Sequence, residues 1–291
     1  MKNILITGGG GYIGTNLTKE LLNEGCNVTV IDTFWFGNYL EKHKKLKIIK
    51  KDIRNITKKD LSKIDCIMHL ASIANDPAAE LDARLTWDVN VLATYKLINL
   101  AVNQKIKKFI FASSGSVYGI KKEKKVTENL SPHPISIYNK TKMIAERVLL
   151  SFRDKIKIII IRPATVCGLS PRMRLDVSVN LLTMQALQKK KITIFGGKQK
   201  RPNIHILDLS EVFIHFLKNK VKSGIYNAGF ENMSILDIGK LVKKNIECQI
   251  KIKKSNDIRS YNLDSSKLLK TGFKPKYSIL DAIVQIKQAY D

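Results

Sequence analysis

Short apolar runs recur along the first 165 residues, separated by stretches whose apolar positions repeat at helical spacing. Ile4–Ile6, Asn27–Ile31, Lys47–Ile49, Cys66–Leu70, Lys108–Phe111 and Ile156–Ile161 read as strands. Tyr12–Glu24 places Ile13, Leu17, Leu21 and Leu22 on one side, and Leu85–Asn103 and Tyr138–Phe152 have similar helical patterns. Strands alternating with helices through short connections predict βαβ units and therefore a parallel sheet. The right-handed crossover makes it doubly wound, with helices on both faces. After residue 165 the pattern loosens. Leu181–Gln188, Ser210–Asn219, Ser234–Lys244 and Ile279–Tyr290 read as helices, and Ile225–Asn227 as a strand. The expected architecture is α/β: a doubly wound domain over 1–165, also receiving a strand and helix from about 202–229, and a smaller lobe over 166–201 and 230–291.

Composition narrows the partners. The 51 Lys+Arg against 25 Asp+Glu give a net charge of +26, which invites a polyanion, but 42 of the cations are scattered Lys and nine are Arg. No basic helix interleaved with aromatics and no zinc or RNA-binding signature goes with them, so nucleic acid is not expected as the partner. No apolar run is long enough to span a bilayer, so no membrane insertion is expected. Met1 leads almost directly into Ile4–Ile6 without the regions of a signal peptide. Cys26, Cys66, Cys167 and Cys248 are widely spaced. They are expected to be free thiols in a reducing cytoplasm, and no metal site has support.

Candidate chemistry clusters just after the strands, where ligands of such sheets bind. The stretch Thr7-Gly8-Gly9-Gly10-Gly11-Tyr12-Ile13-Gly14 follows the first strand and opens the first helix. Glycines there let a pyrophosphate approach the helix N-terminus, whose unpaired N–H groups and dipole favour anionic oxygen. Asp32 ends the second strand, 18 residues beyond Gly14. It suits the ribose hydroxyls of NAD and repels the 2′-phosphate of NADP. Tyr138 and Lys142 stand at i and i+4 on a helix. An ammonium beside a phenol lowers its pKa, which makes Tyr138 a candidate proton donor and acceptor. Ser114, in Ser113-Ser114-Gly115-Ser116-Val117-Tyr118, follows a strand at the same sheet edge. Trp35 and Trp87 read as packing residues. Asn75-Asp76 falls near the expected site without a readable role.

These motifs together resemble the extended short-chain dehydrogenase/reductases, specifically the NAD-dependent nucleotide-sugar epimerase/dehydratase family and its UDP-glucose 4-epimerase-like members. Gly8, Gly11 and Gly14 fit its Thr-Gly-x-x-Gly-x-x-Gly, His69-Leu70-Ala71-Ser72 its strand end beside the cofactor, and Asn90-Val91-Leu92-Ala93-Thr94 its Asn-Val-x-x-Thr. The resemblance implies a Rossmann-type domain with a C-terminal substrate-binding lobe. Ser114, Tyr138 and Lys142 would be catalytic. Gly8, Gly11, Tyr12, Ile13, Gly14, Asp32, Asp52, Ile53, Leu70, Ala71, Ser72, Asn90 and Pro163, with Tyr138 and Lys142, would hold NAD. Thr165, Asn180, Arg201 and Arg259, with Ser114, would hold a nucleoside-diphosphate sugar. Arg172 and Arg174 join this set as forks suited to diphosphate or a charged sugar. The implied reaction is transient oxidation at sugar C4 and return of hydride to the opposite face. A net 4-dehydrogenase or 4-keto reductase of a hexose or heptose is the alternative, and a non-catalytic NAD-binding regulator a remoter one. Gly115-Ser116 replaces the acidic pair of the family's dehydratases, which disfavours dehydration. The resemblance also implies a homodimer, built on helices near Leu85–Asn103 and Tyr138–Phe152.

Overall fold

The computed structural model describes residues 2–254 and 260–291. Strand β1 (Asn3–Thr7) runs into helix α1 (Tyr12–Asn23), then β2 (Asn27–Asp32) and β3 (Leu46–Lys50). Strand β4 (Cys66–His69) is followed by α2 (Asp76–Leu81), α3 (Ala83–Trp87) and α4 (Ala93–Asn103), and β5 (Lys108–Ala112) by α5 (Ile137–Leu150). Next come β6 (Lys157–Pro163), β7 (Thr165–Cys167), α6 (Ser178–Lys189), β8 (Lys191–Phe195), β9 (Lys200–His205) and α7 (Ile206–Lys218). Strands β10 (Gly224–Ala228) and β11 (Glu231–Ser234), helix α8 (Ile235–Asn245), strand β12 (Gln249–Lys253) and helices α9 (Ser266–Leu269) and α10 (Ile279–Tyr290) complete the chain.

Seven strands form one sheet in the order β10-β6-β5-β4-β1-β2-β3, with every neighbouring pair parallel. It is the doubly wound α/β fold that the alternation of apolar runs and helices implies. The runs are continuous because both faces are covered. Ile4, Ile6, Ile110 and Ile159 pack on one face against Leu17 and Leu21 of α1 and Val212, Phe213 and Phe216 of α7. Leu5, Phe109, Phe111 and Ile160 pack on the other against Leu97 and Ile98 of α4 and Ala145 and Leu149 of α5. The chain leaves β1 toward β2 and β3, then returns to build β4, β5 and β6 on its other side. That reversal opens a crevice at the carboxyl ends of β1 and β4. Among the described residues, no helix is long and apolar enough to cross a membrane.

The second half is less regular. Strand β10 joins the large sheet beside β6, while β7 pairs with β9, and β9 with β11, in a separate three-stranded sheet. Strands β8 and β12 form a parallel pair. Their alternating Ile192/Ile194 and Ile250/Ile252 carry the period of two that marks a half-covered strand. Val179, Leu182, Ile192, Ile194, Ile238, Val242 and Ile283 form this lobe's own core. The single helix expected over Leu85–Asn103 is divided: a π-helical turn at Asp88–Leu92 separates α3 from α4. Such a turn inserts a residue and re-aims its side chains. Trp35, read as a packing residue, is largely exposed.

Helix α1 approaches the loop before it so closely that only glycine fits at Gly14. A Cβ there would meet the Gly8 carbonyl oxygen at 2.3 Å and Gly9 Cα at 2.6 Å. Both obstacles are backbone, so Gly14→Ala must push the helix from the loop. It is expected to lower the unfolding free energy by about 2 kcal/mol, measured by urea denaturation.

Candidate active site

Three strand ends and two helices build the site. After β1, Gly8 adopts φ +76°, and its amide donates to Ile31 O at 2.9 Å. Helix α1 then begins with Gly11 as N-cap, with no capping side chain and no acid in its first turn. Its terminal N–H groups and dipole suit an anion. Asp32, at the end of β2, accepts from Gly10 N at 2.9 Å and Phe34 N at 2.7 Å. Two accepted bonds leave a carboxylate with further lone pairs.

Ser113 and Ser114 follow the end of β5. Ser114 Oγ lies 2.7 Å from Ser116 Oγ, and Ser116 Oγ donates to Asn139 Oδ1 at 2.5 Å. Helix α5 starts at Ser136, whose hydroxyl caps Asn139 N and donates to Asp76 at 2.7 Å. Its first turns carry Tyr138 and Lys142. Lys142 Nζ donates to Ala112 O at 2.9 Å, sits 4.8 Å from the Phe111 ring centroid and 5.9 Å from that of Tyr138. Burial pushes Lys142 down to about 7, with Glu146 pulling the other way. Burial raises the Tyr138 phenol, while the Arg174 guanidinium and a hydrogen bond with Ser114 oppose that rise. The sequence assigned the lowering of Tyr138 to Lys142. In the structure that ammonium donates to Ala112 O while lying 5.9 Å from the Tyr138 ring centroid, and the Arg174 guanidinium is a second cation that opposes the rise of the phenol.

Arg174 is held from both sides of the cleft. Its Nε and Nη2 donate to Asp176 at 2.8 and 2.9 Å, and Asn75, in the loop after β4, donates to the same carboxylate at 2.9 Å. Asn75 takes φ +103°, a costly conformation outside glycine that is found where a functional geometry is enforced. Arg172 lies 4.0 Å over the Phe36 ring.

Comparison with known proteins places this geometry. The family described as "NAD dependent epimerase/dehydratase family" matches residues 4–229. The chain belongs to that family. The UDP-glucose 4-epimerase of Lactobacillus helveticus is 30% identical, over 97% of this chain and 94% of that one. The crystal structure of UDP-glucuronic acid 4-epimerase from Bacillus cereus, in complex with UDP-glucuronic acid and NAD, superposes with a TM-score of 0.89 at 32% identity. It covers 99% of this chain and 100% of that one. The UDP-glucose 4-epimerase of Thermotoga maritima, with UDP-glucose, gives a TM-score of 0.89 at 25% identity over 98% of this chain and 97% of that one.

Within this epimerase/dehydratase framework, several residues expected to touch ligands also bond within the chain. Asn90 is buried. Its Oδ1 accepts from Ser72 Oγ and Ile73 N, and its Nδ2 donates to Ile73 O and Thr141 Oγ1. All four bonding positions are used within the chain, so it braces the wall formed by Leu70, Ala71 and Ser72. Asn180, also buried, accepts from Gly168 N and donates to Tyr12 Oη and Arg174 O. It sets the loop carrying Arg174. The Tyr12 phenol donates to Gly168 O, leaving its main chain and that of Ile13 at the helix N-terminus. Asp52 caps a short 3-10 turn beside buried Ile53 and binds Arg54 through paired contacts. Pro163 is buried at the end of β6, and Thr165 stands opposite Asn203 in the β7–β9 register, two residues past Arg201 on the latter strand. Arg259 lies outside the described residues. His69, between Thr7 and Thr94 hydroxyls at 2.6 and 2.8 Å, is held neutral by burial, pushed down to about 3.

Sequence reading missed Ser116, Asn139, Glu146 and Asp176. Only Glu146 had a legible signal, one helical turn beyond Lys142. The bracing role of Asn90 is open to measurement. Asn90→Ala strands the buried Ile73 amide, while Ile73 O keeps Ser72 Oγ and the Thr141 hydroxyl keeps Tyr138 O, so urea denaturation is expected to show a loss of about 2 kcal/mol.

Proposed function

We propose that this protein is an NAD-dependent 4-epimerase of a nucleoside-diphosphate sugar. The observation that carries the reading is the meeting of Ser114, Tyr138 and Lys142 at the ends of β5 and α5, in the sheet whose crevice holds an uncapped helix N-terminus. Both 4-epimerase relatives and NAD-bound solved neighbours support it.

The residues fit NAD. Backbone approaches Gly8 and Gly14 too closely for a side chain at either, and α1 offers main-chain N–H groups to a diphosphate. Asp32 would suit the adenosine ribose, and the 70–72 wall and Pro163 would hold the nicotinamide end. Lys142 would orient the nicotinamide ribose. NAD supplies a reversible hydride acceptor beside the sugar carbon. Tyr138, as phenolate, takes the proton of the sugar hydroxyl and later returns it, while Ser114 hydrogen-bonds the same oxygen. Gly115 and Ser116 place no carboxylate beside Ser114, so loss of water has no general acid there.

Arg174 sharpens the substrate. A fixed guanidinium near the phenol suits a sugar with a carboxylate, as in the uronic acid bound by the Bacillus cereus relative. We also read the protein as a cytoplasmic homodimer. The four cysteines are buried free thiols, and α4 with the turn before it exposes Leu92 (59%) and Tyr95 (52%), an apolar face that a second copy would cover.

Incubation with UDP-, GDP-, dTDP- and CDP-sugars, including UDP-glucuronate, followed by NMR is expected to yield a C4 epimer without net oxidation. Tyr138→Phe should cut turnover by about 1000-fold and retain NAD; full activity overturns the mechanism. Arg174→Met removes a cation that lowers Tyr138. The phenolate is the active form, so the rising limb of the pH–rate profile should move to higher pH by about one unit. Light scattering should give twice the monomer mass, and monomer alone at micromolar concentration contradicts the dimer.

A further inference from the structure

A buried ion pair lies one helical turn behind Lys142. Glu146 is 1% exposed and Arg162, at the end of β6, is 2% exposed. Arg162 Nε donates to Glu146 Oε1 at 2.9 Å and Nη2 to Oε2 at 2.6 Å, while Ser113 Oγ donates to Oε1. The guanidinium stacks 4.6 Å from the Tyr118 ring centroid. Helix α5 thereby binds Ala112 through Lys142, Ser113 through Glu146, and β6 through Arg162.

Stability alone does not account for such a pair. Desolvating two charges offsets most of their attraction, and well-packed apolar residues commonly serve as well. What apolar residues do not supply is a negative charge. Lys142 is a buried cation one helical turn from the Glu146 carboxylate, and the two side chains bond the consecutive residues Ala112 and Ser113. Without that carboxylate, Lys142 yields its proton more readily.

We infer that Glu146 is the counter-ion that keeps Lys142 an ammonium, held in register by Arg162 and Ser113. It is a positioning residue, acting through Lys142. The other groups around that ammonium do not substitute for it. His69 on β4 is neutral, the Phe111 ring on β5 carries no charge, and Arg162 on β6 is a cation. Tyr138 on α5 is itself raised by burial, and Arg174 and Asp76 act on Tyr138. Burial and Glu146 together leave Lys142 at about 7, so loss of this neighbour would take it lower.

The consequence for catalysis rests on the function proposed above; the charge state of Lys142 does not. The protein is labelled with 13Cε-lysine, and the Lys142 signal is identified by its loss in Lys142→Met. Its titration midpoint is then followed in the wild type, Glu146→Gln and Arg162→Met. Removing the anion should lower the midpoint by about one pH unit or more, and freeing it from Arg162, which leaves its charge to Lys142, should raise it. A merely structural role weakens folding in both variants and moves neither midpoint. An unchanged or raised midpoint in Glu146→Gln overturns the inference. Should that variant not fold, an unchanged midpoint in Arg162→Met does the same. In the active enzyme, the falling alkaline limb should move to lower pH with the midpoint in Glu146→Gln. A limb that stays while the midpoint moves removes Lys142 ionisation from the mechanism and leaves the Glu146 inference standing.

Discussion

Helix α5 is fastened to the ends of β5 and β6 by one buried ion pair, Glu146 with Arg162, and the site depends on that attachment. Ser114 hangs from one strand, Pro163 ends the other, and Tyr138 and Lys142 ride on the helix. A shift of α5 along its axis by one residue, about 1.5 Å, would separate the phenol from the serine. Side-chain bonds from Lys142 and Glu146 to consecutive residues at the end of β5 set that height. The parallel sheet does the rest: all its strands end on the same edge, so groups far apart in the chain meet there.

Charge works at two scales. The Lys excess is spread over the chain, where single charges are well hydrated and weakly coupled. Three arginines act locally, each against a particular partner. Arg162 serves the framework, Arg172 lies on Phe36, and Arg174 is locked by Asp176 and Asn75 beside the phenol. A planar fork held by a carboxylate keeps its direction, which a flexible lysine does not.

The doubly wound sheet was legible because buried parallel strands write continuous apolar runs, and the glycine collar because close backbone approach admits no other residue at Gly8 and Gly14. Strands β8 and β12 were also written, as alternating isoleucines, yet such short runs are easily lost among helices. The amides were not legible. Asn90 and Asn180 match a ligand-binding pattern by position, and only the fold decides that their bonding capacity is consumed inside the protein. The direction of Lys142 escaped for the same reason. Spacing of i and i+4 puts two side chains on one face but does not say that a carbonyl from another strand captures one of them. Arg174 and Asn75 are about a hundred positions apart, and their link through Asp176 exists only once the lobe closes over the sheet.

The central claim is that one carbon of a nucleotide sugar is oxidised and restored without leaving the site. A sugar nucleotide carrying deuterium on that carbon tests it most directly when turned over in ordinary water and read by NMR. The account predicts that the label stays on the inverted carbon of the product. Its replacement by hydrogen from solvent, with inversion still complete, would contradict the account.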